Sequence, residues 1–406
     1  RLLQIGTSPE TLSGELARYD ADHNEWGITH AMPAALDVLK LIELPGEPLD
    51  ALLPLALAAE VLGETAIRLG ARPLPPSASA ASEMEFLDAF RRQDASHADG
   101  LVRGAWARGA RRGTLEPWFM RACSEHFLAL GHGLIFSVKA FDLLSEVSEE
   151  HAPAILGALA HGICQQTRED VLPEWRWFRR EMEVLTPRLE GWIAQTRRPL
   201  RPEERTRLLN SLLDGERRES LHVLAELLED GAHLECIVDT LSVAASHRLL
   251  RFDPNLDRDP SYQEGWLDVT HTLTFTEAVR YALRRDPRAH SLALLFQAAR
   301  FINSTGALDG SELGEIRPFE GDRQDLWATL RQELLYDGLS KPIVTAHRIK
   351  LFVTAFEESK RHNVGGWPLA ALERFLRADV RVRWPARRCA DATRFVRDGK
   401  VPRTRI

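Results

Sequence analysis

The sequence predicts an all-α protein, a large multi-helix assembly around a central metal or substrate cavity. Apolar residues recur at helical spacing in nearly every ordered-looking stretch, as Leu156, Leu159 and Ile163 do. No stretch alternates apolar and polar residues as a half-buried strand would. No repeat of fixed period marks a solenoid or propeller. The chain has 406 residues, 44% of them hydrophobic, enough for a substantial core. The expected organisation is one helical domain over 1–406, with two helical halves joined near 185–202.

In chain order, His30 stands just ahead of a helix whose early Pro33 costs no needed N–H. Its apolar face is Leu36, Val38, Leu39, Leu41 and Ile42. A second helix, rich in Ala and Leu, spans Leu49 to Leu69. Arg72 to Ala81 is a loop made of Pro, Ser and Ala. Helical patterns follow from Glu83 to Arg92 and from Pro117 through Leu144, the latter broken near Gly131-His132-Gly133. Pro153 opens the next helix. Leu185 to Pro202, rich in Pro and Arg, is a bridge. Further helices are expected over Glu203–Leu213, Glu216–Leu228, Leu234–Leu250, Gly265–Arg284, Ala289–Phe301, Asp322–Tyr336 and Lys341–Arg361. Phe252 to Tyr262, with its Asp-Pro turns, is a long connection.

Composition removes several function classes. Charged residues make up 27% and the formal net charge is -7, which does not suit a general nucleic-acid surface. The basic group Arg377, Arg381, Arg383, Arg387 and Arg388 is read as a solvated face. No apolar run is long enough to cross a membrane, and no secretory n- and h-region opens the sequence. An opening at Arg1 rather than Met fits a processed chain or a piece of a longer one, so a neighbouring redox domain or partner stays open. Cys123, Cys164, Cys236 and Cys389 form no Cys-x-x-Cys pair, which argues against zinc ribbons and a disulfide framework. Each is expected in the core, in a reducing cytoplasm. P-loop, Gly-x-Gly-x-x-Gly, His-Glu-x-x-His and Gly-x-Ser-x-Gly motifs are absent.

There are 14 histidines. His23, His97, His151 and His290 lie near acidic residues or helix starts and are read as solvated. His161, His222 and His247 have undistinguished surroundings. His126, six residues before His132, falls on another helical face and is assigned a supporting role. Four histidines have more telling company. His30 precedes a helix start; His132 lies between two glycines, each costing about 1 kcal/mol of helix propensity. His271 sits among threonines that can fix an imidazole tautomer, and His347 shares a helical face with Lys350. That face is apolar, and a lysine buried there is costly unless neutralised, paired or bound. Pairing with a buried acid is one solution; metal binding is another, since neutral imidazoles suit iron, copper, nickel and zinc.

The segments Thr29-His30-Ala-Met-Pro33-Ala, His132-Gly-Leu-Ile135, Val269-Thr-His271-Thr-Leu-Thr and Ala346-His347-Arg-Ile-Lys350-Leu carry a family resemblance. In order and broad spacing they resemble the conserved blocks of the questin oxidase-like family. The likeness spans His30 to Lys350 and rests mainly on the His-Gly-Leu-Ile and His-x-Ile-Lys blocks. It implies an α-helical, flavin-independent oxygenase of anthraquinone or other aromatic polyketide skeletons. It implies non-haem Fe(II) held by His30, His132, His271 and His347, with a carboxylated Lys350 as fifth ligand and dioxygen as co-substrate. Where the family pattern often has a second His, this chain has Lys139. The expected chemistry is oxidative ring cleavage or Baeyer–Villiger-type oxygen insertion, with Lys350 as the catalytic lysine. The ten tryptophans, Trp26, Trp118, Trp175, Trp177 and Trp266 among them, offer flat walls for an aromatic substrate or simply fill the core. Two alternatives stand beside this: a helical scaffold or partner domain with a structural metal or none, and a zinc-dependent hydrolase.

Overall fold

The computed structural model describes residues 6–42, 52–66, 73–78, 81–195, 198–259, 262, 264–311, 315–336, 341–380, 389, 392, 393 and 395–399. Among them the fold is all-α, with isolated bridges and no β-strand. The helices begin with α1 (Pro9–His23), α2 (Ala31–Ile42), α3 (Leu52–Ala66), α4 (Glu83–Arg91), α5 (Ala95–Ala107) and α6 (Arg112–Glu125). Next come α7 (His132–Glu146), α8 (Ala152–Gln165), α9 (Arg176–Leu185), α10 (Leu189–Ile193), α11 (Pro202–Leu213) and α12 (Glu219–Glu229). The last are α13 (Leu234–Arg251), α14 (Trp266–Arg285), α15 (Leu292–Ser304), α16 (Arg323–Leu334), α17 (Pro342–Ser359) and α18 (Trp367–Leu376).

Two compact units emerge. One comprises 1–182, 281–293 and 335–353; the other comprises 183–280, 294–334 and 354–406. In the first, α2 packs against α1, α3 and α7, while α5 lies along α8. In the second, α13 packs against α11 and α18. Local chemistry sets many helix starts. Ser8, Ser82 and Asp94 accept from backbone N–H groups in the first turns of α1, α4 and α5, satisfying donors that have no partner in the helix. Glu204 reaches back to the N–H of Arg201 at 2.9 Å and closes the start of α11. α2 shows the strongest commitment to burial: Met32, Leu36, Val38 and Leu41 are all within 4% of full burial. Each such aliphatic side chain contributes about 1.5–3 kcal/mol.

Several elements depart from the sequence reading. α1 and α5 were not expected, because their buried faces are built from small and polar residues rather than an apolar stripe. α1 buries Ser13, Gly14, Ala17, Asp20 and Ala21. α5 buries Ala95, Ala98, Asp99, Gly100, Gly104 and Ala105, with Leu101 and Val102 as its only large apolar residues among those buried. α9 and α18 also escaped, and the bridge over 185–202 carries the short α10. The break in the Pro117–Leu144 pattern begins earlier than the glycines, at His126, where α6 ends in extended backbone. Cys123 and Cys164 are buried, but Cys236 is half-buried and Cys389 exposed. His151 is only 3% exposed, not solvated. Its ring presses against Gly14, where an added Cβ would meet it at 2.7 Å. Trp175 stacks on Phe127 and Trp266 packs at a tilt against Phe252 as core residues, whereas Trp26 is exposed. Arg381, Arg383, Arg387 and Arg388 lie outside the described residues, as do 49–51 and 67–69 of the expected second helix.

Candidate metal centre

His30 is placed by the turn that enters α2. The buried carboxylate of Asp20 on α1 accepts from the Thr29 N–H at 2.9 Å and from its hydroxyl at 2.7 Å. The Ala31 N–H donates to the Thr29 hydroxyl oxygen at 3.1 Å, and the His30 carbonyl accepts the Ala34 N–H at 3.1 Å. Backbone on both sides of His30 is therefore pinned. Burial pushes the Asp20 carboxyl up to about 6, although the Thr29 bonds oppose that rise.

His132 is placed by a strained entry into α7. Ala129, Leu130 and Gly131 have φ of 44, 58 and 88°, three left-handed residues in succession. Only glycine adopts that region at no steric cost, so the two others are held there by neighbours. The Ala129 N–H donates to the Thr167 carbonyl at 2.9 Å and the Leu130 N–H to the Glu169 carboxylate at 3.1 Å. At Gly133 a Cβ would stand 2.6 Å from the Leu128 side chain, so a glycine is needed for this chain reversal to close. The two glycines flanking His132 thus have different jobs, one conformational and one steric.

His347 lies in the second turn of α17, 2% exposed, and its Nδ1–H donates to the Ile343 carbonyl at 2.8 Å. The His132 Nδ1–H donates likewise to the Ala129 carbonyl. A carbonyl can only accept, so both rings carry their proton on Nδ1 and leave Nε2 unprotonated. The His30 and His132 Nε2 atoms are 3.0 Å apart, and the His30 and His347 ring centroids 4.9 Å apart. His271, the fourth expected ligand, lies on α14 in the second unit and is 2% exposed. Nitrogens about 2.1 Å from one ion stand about 3.0 Å apart at a right angle and about 4.2 Å apart when opposite. The spacing fits a common ion, and the donor set suits a borderline transition metal.

The electrostatics fit as well. Desolvation, then the neighbouring imidazoles and Lys350, holds His30 well below its ordinary value; desolvation and Lys350 do the same at His347. Desolvation and Lys350 bring His132 down to about 3. All three are neutral at physiological pH, the form that binds a metal. Lys350 is 2% exposed, and its Nζ has no hydrogen-bond partner. Burial lowers it to about 7, with the Asp37 carboxylate pulling the other way. The simple alternative of a direct hydrogen bond to a buried acid is therefore not what the lysine does. The Asp37 carboxylate instead takes its hydrogen bond from Lys139, at 2.6 Å.

His126, set aside as supporting, pairs with Asp170 at 3.0 Å. Two nearby residues escaped sequence reasoning. Phe136 packs its ring against His30 and His132, with centroids 5.3 and 5.0 Å away. Its signal was available, since it follows His132 by four residues on the same helical face. Asp37 follows His30 by seven, also on one face, but a lone acid in an apolar run gives no hint of its partner. Comparisons with family models, with curated proteins and with solved structures returned no match.

Proposed function

We propose that this protein is a mononuclear non-haem Fe(II)-dependent oxygenase of an aromatic, polyketide-like substrate. The observation that carries the metal part is the approach of the His30, His132 and His347 rings to one another beside a buried lysine whose amine has no hydrogen-bond partner. The iron, the dioxygen and the substrate class rest on the resemblance of the four sequence blocks. His30, His132, His271 and His347 would hold the ion, and Lys350 would add an oxygen ligand once carboxylated. Bound Fe(II) supplies the one-electron chemistry that dioxygen needs to react with an aromatic ring.

The chain's own residues prepare this. Carboxylation requires a neutral amine: the Lys350 nitrogen bonds to the carbon of CO2, one proton is released, and a carbamate anion results. Burial favours the neutral amine in the first place. The anion offsets part of the dication's charge, which four neutral imidazoles leave untouched. The carbonyls of Ala129 and Ile343 hold the His132 and His347 rings in one tautomer, so neither spends binding energy on reorientation. Phe136 covers the His30 and His132 edges with apolar surface and keeps water from that side.

The test is elemental analysis of protein purified without chelators, followed by oxygen uptake with anthraquinone-type substrates. Near-stoichiometric iron and substrate-dependent oxygen uptake support the proposal. Zinc without oxygen uptake favours the hydrolase, and a folded, metal-free protein favours the scaffold. Lys350→Ala is expected to lose activity and be partly rescued by a short-chain carboxylic acid, and Lys350→Arg to fail because a guanidinium forms no carbamate. Full turnover in Lys350→Arg would end the carbamate assignment.

A further inference from the structure

The ion pair between Asp37 on α2 and Lys139 on α7 is 2.6 Å long, with both side chains almost completely buried. Asp37 follows His30 by seven residues and Lys139 follows His132 by seven, two helical turns in each case. The helices are thus joined at two levels with equal offsets: the His30–His132 contact at 3.0 Å and the ion pair at 2.6 Å. Equal offsets mean that α2 and α7 run side by side in the same direction, each offering an imidazole at its N-terminal end. Helix ends are the least firmly held part of a helix, and a metal centre tolerates little error in its ligands.

Besides it, α2 and α7 share one looser, half-buried ion pair, Lys40 with Asp142 at 4.0 Å, three residues further along each helix. The remaining buried residues are mostly apolar on both helices, from Ala31 to Leu41 on α2 and Leu134, Ile135, Val138 and Phe141 on α7. An apolar surface of this kind can slide or rotate at small cost, whereas a buried charge pair has one workable partner geometry. Desolvation offsets most of what such a pair adds to stability, so register is the better account of it. The second oxygen of Asp37 has no hydrogen-bond partner, and its charge acts on Lys350, which links the same carboxylate to α17.

We infer that Asp37 and Lys139 are positioning residues, a buried ion-pair lock that sets the register of α2 against α7 and so brings His30 and His132 to a common metal ion. This rests on the metal reading above. The probe is Co(II) added to the metal-free full chain, followed by its visible absorption, with thermal unfolding measured alongside. The double variant Asp37→Leu, Lys139→Met is expected to unfold at or above the wild-type temperature and to bind Co(II) about 10–100-fold more weakly. A purely structural pair would move the unfolding temperature and leave Co(II) affinity alone. Wild-type affinity in a folded double variant therefore overturns the inference. Should the double variant fail to fold, Asp37→Asn carries the test, because it keeps an acceptor of the same shape for Lys139. Weakened Co(II) binding with an altered spectrum is then expected, and unchanged affinity and spectrum overturn the lock. A wild-type protein that takes up no Co(II) overturns the metal reading and the lock together.

Discussion

Two buried clusters of ionisable side chains solve opposite problems. Around Arg280, in the second unit, every charge is answered. Its guanidinium is 2% exposed and donates to both oxygens of Glu358, at 2.8 and 2.7 Å. Its remaining nitrogen donates to Asp239 at 2.8 Å and Glu235 at 2.7 Å. Arg248 is similar, with Asp309 and the carbonyls of Leu212, Leu213 and Ile302 as acceptors. Around His30, His132 and His347, in the first unit, imidazole lone pairs point together and the Lys350 amine has no partner. Groups that satisfy one another make structure. A buried amine such as that of Lys350, with no hydrogen-bond partner, needs something from outside, since leaving it so costs about 1–3 kcal/mol.

The largest effect expected from this contrast is on the saturated side. Arg280→Met leaves Glu235, Asp239 and Glu358 without the cation they share, with Arg361 still 3.5 Å from Glu358. Stability should fall by about 3–5 kcal/mol in denaturant unfolding, with metal content per folded molecule unchanged. A loss below about 1 kcal/mol would show that the cluster does not hold the second unit together.

Lys350→Met should do the reverse. In metal-free protein it is expected to raise stability by about 1–4 kcal/mol, because a buried amine without a partner is replaced by an apolar chain of similar volume. The gain depends on pH. Lys350 sits near 7 in the folded protein against an ordinary 10.5, so between these values only the unfolded chain holds the proton. Wild-type stability then rises with pH across this window, and the advantage of Lys350→Met shrinks from about pH 7 to about 10.5. An advantage that is flat across this window would contradict a depressed Lys350.

His347→Ala and His132→Ala come next. Each should weaken Co(II) or Fe(II) binding at least about tenfold, or about 1.4 kcal/mol, with helicity by circular dichroism unchanged. Equal affinity in either variant would remove that residue from the ligand set. The smallest effect is expected for His126→Ala. It breaks the pair with Asp170 and should cost about 1 kcal/mol of stability while metal affinity stays at the wild-type level. An emptied metal site in His126→Ala alone would reassign the ligand on this segment.

The helical class, most helix positions and the burial of Lys350 were legible because helical periodicity depends on residue order alone. The expectation for 341–361 meets α17 at Pro342–Ser359 almost end to end. Helices whose buried faces are made mostly of glycine, alanine and serine were not legible, because packing through small residues leaves no apolar stripe. α1 and α5 are the cases. His151 was misjudged for a related reason: its burial comes from a glycine on another helix, Gly14.

At the site, sequence by itself determined which residue types stand where. It placed imidazoles at two helix starts, glycines on both sides of His132, and a lysine one turn beyond His347. Tertiary structure decided what those residues are to each other. The Nδ1 protons of His132 and His347 are fixed by carbonyls three and four residues back, but the 3.0 Å approach of His30 to His132 spans 102 positions of sequence. The same separation divides Asp37 from Lys139. A pattern along the chain reports which face a side chain occupies. Which other face it meets, and in what register, is settled only when helices pack, because that outcome minimises the burial cost of all their polar groups at once.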